Sequence, residues 1–142
     1  MRSKPLEFFL KLLDLKKVRS AMIANRARGE FDRVQNFERQ LQEYHDEYQR
    51  SWLKSAKQGG TASELSSRSS FVSRLRETVE AQAPEVSAAA ERMQRASSRA
   101  AADGFRADTL RKYLQAERRA RRKEVERREE REANDRGGQP RS

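Results

Sequence analysis

Gln58-Gly59-Gly60-Thr61 interrupts two long stretches in which apolar residues recur at heptad spacing, and the second stretch outruns the first. Paired glycines suit a chain reversal, because glycine enters left-handed backbone conformations without steric penalty. Worked outward from that break, the sequence predicts an all-α fold. It is one long antiparallel two-helix coiled coil, a helical hairpin, with a basic helix overhanging its open end.

Before the break, Leu6, Leu13, Ala27, Val34, Leu41 and Tyr48 mark one heptad position. Phe9, Ile23, Phe37 and Tyr44 mark a second, three residues further on. Lys16, Ser20, Glu30 and Ser51 are the polar exceptions in that frame, and the seam is expected to loosen around Lys16–Ser20. After the break, Leu65, Val72, Val79, Val86, Met93, Ala100, Ala107 and Leu114 hold the first position. Leu75, Ala89, Ala96 and Leu110 hold the second, with Arg68, Gln82 and Asp103 as polar interruptions. Spacing of three and four sustained this far specifies a coiled-coil seam rather than a short amphipathic helix.

Beyond Leu114 the same frame lands on Glu117, Arg121, Glu124 and Arg128, so the seam stops while helix-forming composition continues to about Ala133. Folding the chain at Gly59-Gly60 sets Leu6 level with roughly residue 115. The first helix therefore runs out where the second loses its apolar stripe. The expected organisation is a single domain over about 1–136, with helices at about 5–57 and 64–133, a turn at 58–63, and a disordered tail at 137–142. Arms of roughly fifty residues make a rod on the order of 75 Å. Pro84 removes one backbone hydrogen bond and predicts a kink, yet the heptad frame continues across it and the proline itself faces solvent.

Composition agrees. Charged residues make up 38% of the 142 and hydrophobic residues 35%, too few for a globular core but enough for a narrow buried stripe. The formal charge of +10 calls for an anionic counterpart: nucleic acid, an anionic membrane surface, or an acidic protein surface. Without cysteine there is neither a disulfide scaffold nor thiolate chemistry. Glu7, Lys11 and Asp14 interrupt the apolar run at the start, no small-residue cleavage site follows, and no stretch has the length of a membrane span. A cytoplasmic protein is expected.

Nothing in the chain has the makeup of an active site, and neither metal nor cofactor is expected. The one histidine, His45, has no evident metal or nucleophile partner and reads as a solvent-exposed helical residue. Two segments stand out instead. In the overhang, Glu117–Arg121 and Glu124–Arg128 are spaced four apart in the favourable order, which holds a helix lacking an apolar partner. That segment is either a self-paired solvated helix or a cationic probe for an acidic site on a partner. DNA binding fits less well, because the basic segment follows the coiled coil and is diluted by glutamates. Near the turn, Phe37, Leu41, Tyr44, Tyr48 and Trp52 lie level with Phe71, Leu75 and Val79 on the returning arm. These aromatics are either seam packing or an accessible docking patch.

At these residues the chain resembles the FliJ family of the flagellar type III export apparatus and, more distantly, its counterparts in virulence secretion systems. The likeness rests on Leu41-x-x-Tyr44-x-x-x-Tyr48, on Gly60-Thr61-x-Ser63 at the turn, on Phe71-x-x-x-Leu75, and on a charged C-terminal helix without a seam. It implies a non-enzymatic cytoplasmic stalk, peripheral to the membrane-bound export machinery at the inner membrane. Its implied partners are the hexameric export ATPase, the cytoplasmic domain of the export gate protein, and export chaperones, with no nucleic acid. Carried over, Leu41, Tyr44, Tyr48, Phe71 and Leu75 match the gate-contact patch, and Thr78, Gln82 and Phe37 occupy neighbouring patch positions with different residue types. Leu6, Phe9, Leu13, Leu110, Leu114, Arg118, Arg121 and Arg122 belong to the ends that would face the ATPase ring. The residues alone also suit a generic coiled-coil adaptor or regulator.

Overall fold

The computed structural model describes residues 3–137, which form two α-helices and no strand. Helix α1 spans Ser3–Gln58 and α2 spans Ala62–Gly137, and they pack as a helical hairpin. Three residues suffice to connect them. Gly59 takes φ of +81°, the left-handed conformation that ends α1. Thr61 then caps α2: its Oγ1 accepts from the Glu64 backbone N–H at 3.2 Å, in a Thr-x-x-Glu arrangement. At the other end α2 runs on to Gly137, past the expected end at about Ala133. The rest of the expected tail, 138–142, lies outside the described residues.

Pro84 sits within α2, exposed, and the helix continues through it. Exposure leaves the carbonyl that the proline cannot satisfy open to water, so the loss is one hydrogen bond and not a buried orphan.

The seam of α2 lies where its heptads put it: Leu65, Val72, Leu75, Val79, Gln82, Val86, Ala89, Met93 and onward to Leu114 and Glu117 are its less exposed residues. The seam of α1 requires a correction. Its first position stands as far as Leu41, with Leu6, Leu13, Ser20, Ala27, Val34 and Leu41 turned inward, but Tyr48, also expected there, is exposed where the seam opens near the turn. The second position is four residues further on, not three: Leu10, Lys17, Ala24, Phe31, Glu38, His45 and Trp52 are shielded, whereas Phe9, Ile23, Phe37 and Tyr44 are exposed. Lys16, Glu30 and Ser51 are thus not seam members at all, and Ser20 is buried.

The hairpin comprises two compact units. Residues up to Arg19 with those from Ala100 onward make the terminal unit, and Ser20–Arg99 make the turn unit. Enclosure is shallow in both: the buried apolar residues are Val72 and Ala89 in one, Ala107 and Leu114 in the other. The most enclosed are alanines, because small side chains let two helix backbones approach closely.

Candidate functional site

In the turn unit, Trp52 reaches across the seam and donates its indole N–H to the Leu65 carbonyl at 3.2 Å. Arg68 donates to the Ser55 hydroxyl on the same stretch. One helical turn back, Tyr44, Tyr48 and Phe71 form a ring cluster, with centroids 4.8 Å apart in both successive pairs and planes inclined by 52°. The tilted geometry is one that aromatic quadrupoles favour. All three rings remain 38–45% exposed, since Tyr44 lies off the seam and a two-helix seam cannot enclose Tyr48 and Phe71. A hydrogen bond with Tyr48, followed by partial burial and the charge of Glu47, raises the Tyr44 pKa above the usual phenol value. Tyr44 therefore stays neutral at physiological pH.

Five residues of the resemblance-derived patch fall around this cluster or just beyond it. Leu41 and Leu75 are half-buried in the seam beside it, and Tyr44, Tyr48 and Phe71 are its rings. Thr78 is exposed and turns its hydroxyl back to the Arg74 carbonyl, which reduces its availability to a partner. Gln82 lines a separate shallow depression with Arg33, Val34, Phe37 and Glu85. A second depression, lined by Glu47, Tyr48, Ser51, Trp52, Arg68 and Val72, adjoins the ring cluster. The turn unit thus presents a surface of mixed polar and apolar character that carries exposed aromatic rings.

His45 is not solvent-exposed: only 6% of it is accessible, and it occupies a seam position. Its Nδ1 lies 3.2 Å from an Asp46 carboxylate oxygen, while Nε2 is buried without a hydrogen-bond partner. The bond with His45, then that with Gln42, holds the Asp46 carboxyl below the usual range. The cause is its place: four residues after Leu41, His45 falls on the flank of α1 that packing against α2 shields.

In the terminal unit the helices are tied by a ladder of ion pairs. Arg118 meets Glu7 at 2.6 Å, Arg111 meets Asp14 at 2.5 Å and Lys17 meets Asp108 at 3.0 Å. Each step forward along α1 is matched by an equal step backward along α2, so one antiparallel register satisfies the whole ladder. Arg111 also reaches Asp108 at 3.0 Å. The bond to Asp14 raises the Arg111 pKa, and the bond from Lys17 lowers that of Asp108, so both of these groups stay charged at neutral pH. Exposed pairs contribute little stability each, but they penalise every slipped register.

Of the expected ring-facing residues, Leu6, Leu13 and Leu110 are half-buried in the seam and Leu114 is buried, which makes them packing residues. Phe9, Arg118, Arg121 and Arg122 are exposed. From Arg118 to Gly137 every residue of α2 is exposed. This helix is held by its own pairs, Arg121 to Glu117 at 3.1 Å and Arg128 to Glu124 at 3.2 Å. Sequence reading passed over the outward face of α1, where Phe8, Leu12, Leu15 and Val18 are exposed.

Among the described residues no cluster of three or more potential ligands could hold a metal ion, and no helix is long and apolar enough to cross a membrane. The family model described as flagellar FliJ protein matches residues 2–135, nearly the whole chain. Neither a curated protein nor a solved structure matches the chain.

Proposed function

The chain belongs to the FliJ family, and so to flagellar protein export, and from that premise we propose that it is a non-enzymatic cytoplasmic stalk of the export apparatus. Its terminal unit engages the hexameric export ATPase, and the ring cluster of the turn unit engages the cytoplasmic domain of the export gate protein. Through these two contacts it couples ATP hydrolysis to export, and it escorts export chaperones. The observation that carries this reading is the family match over almost the full length.

Physical support comes from both surfaces. A partner that must shift among equivalent subunits of a ring is served by many exposed charges on a helix without deep apolar anchors. The α2 segment after Glu117 has that character. A contact that must hold one fixed partner is served by partly exposed aromatic rings, and Tyr44, Tyr48 and Phe71 have that character.

The test mixes the full chain, or a chain truncated after Leu114, with a hexameric flagellar export ATPase and follows ring assembly and ATP turnover. Stimulation by the full chain and not by the truncation is the expected result, and no binding by either form overturns the ATPase assignment. Tyr48→Ala with Phe71→Ala should weaken gate-domain binding by about 2 kcal/mol or more, read by calorimetry. Unchanged affinity in that double variant removes the ring cluster from the gate contact.

A further inference from the structure

The exposed α2 segment after Glu117 supports the proposed ATPase contact, and the outward face of α1 in the terminal unit is a second surface of different chemistry. Phe8, Leu12, Leu15 and Val18 are 64%, 47%, 68% and 57% exposed and lie close together in sequence. Phe8, Leu12 and Leu15 fall within about 60° of one another around the helix, on the side away from the seam residues Leu10, Leu13 and Lys17. With Phe9 and Val18 at its borders, the apolar surface spans about half the circumference.

The charges around it are of one sign. Lys4, Lys11, Lys16 and Arg19 are exposed among these side chains. The acidic residues of the same stretch are Glu7 and Asp14, and both are engaged by Arg118 and Arg111 of α2. The ion-pair ladder thus withdraws negative charge from the outer face and leaves it apolar and cationic.

We propose that this face binds the surface of an anionic lipid bilayer. The α1 segment would lie in the interface with its apolar side chains inserted and its lysines extended to the lipid phosphates. Charge complementarity selects this occupant over a second copy of the chain, since two such faces would confront lysine with lysine. Breadth selects it over a grooved protein partner. A groove reads a narrow stripe at three- and four-residue spacing, whereas a bilayer accepts apolar side chains spread over half a helix.

The test uses the full chain and sedimentation with vesicles of phosphatidylcholine, alone or with about 30 mol% phosphatidylglycerol, near physiological salt. Partition onto the anionic vesicles should be at least tenfold stronger. Phe8→Ser, Leu12→Ser and Leu15→Ser together leave net charge unchanged and should lower it by about tenfold or more. Lys11→Gln and Lys16→Gln should each lower it about fivefold. Circular dichroism checks that the triple variant keeps its helix content. Because the chain has no cysteine, a second readout is direct: a polarity-sensitive dye on Leu15→Cys should shift to the blue on anionic vesicles, and one on Glu126→Cys should not. Equal binding by the wild type and the triple variant overturns the proposal, because attraction would then come from the basic part of α2 by charge alone. So does the absence of wild-type binding, or a blue shift at Glu126→Cys without one at Leu15→Cys.

Discussion

At the scale of single residues, His45 shows how a polar side chain can occupy a seam without being part of a chemical site. Burial of an imidazole nitrogen without a partner costs roughly 1–3 kcal/mol, only partly offset by the bond between Nδ1 and Asp46. His45→Leu should therefore raise the melting temperature at neutral pH, read by thermal circular dichroism. The same pair sets a pH dependence. Asp46 has a depressed pKa in the folded chain, so its contribution is fully present above the ordinary aspartate value of about 4 and is lost as pH falls through the lower folded value. Between pH 5 and 2 the wild type should lose more stability than His45→Leu, in which the principal cause of the depression is gone. Parallel pH curves for the two proteins would show that Asp46 is not coupled to His45 in this way.

Helix α1 carries two competing apolar flanks. Counting from Leu6 in sevens, the residue three further on is apolar at Phe9, Ile23, Phe37 and Tyr44. The residue four further on is apolar at Leu10, Ala24, Phe31 and Trp52. Each flank offers four apolar members, and neither wins on periodicity alone. What separates them is α2. The four-residue flank meets it at both ends: Trp52 donates to the Leu65 carbonyl and Lys17 to the Asp108 carboxylate. A pair of substitutions reads the outcome. Phe31→Ala should cost about 1–3 kcal/mol in denaturant unfolding, less than a fully enclosed phenylalanine because the seam is shallow. Phe37→Ala, on the exposed flank, should cost under about 1 kcal/mol. The reverse order would restore the three-residue flank as the seam. Helix α2 offers less of a choice: beside its second-position leucines, Leu75 and Leu110, the rival frame places Arg76 and Arg111, and only at Ala89-Ala90 are the two frames equally apolar.

For the molecule as a whole, stability and partner contact are carried by different residues. The seam and the ion-pair ladder end at Glu117 and Arg118, and the α2 segment beyond them has no tertiary partner among the described residues. A chain ending after Arg118 should melt within about 2 °C of the full chain, while the full chain shows an additional low-temperature loss of helix from its unpacked segment. Stimulation of the export ATPase should vanish in the truncated chain at the same time. A large drop in melting temperature on truncation would mean that the basic helix packs on the hairpin after all.

Residue order alone was enough to read the two helices, the turn at Gly59-Gly60, most of the frame of α2, the cationic end and, through its motifs, the family. These depend on local conformational preference and on repeats with one reading, which neighbouring residues along the chain suffice to express. Packing against α2 settled which flank of α1 is shielded, and with it the burial of His45, the exposure of Phe9, Ile23, Phe37 and Tyr44, and the engagement of Glu7 and Asp14 by arginines. Two flanks of equal apolarity cannot be ranked within one helix, because their energies differ only through the partner helix each would face.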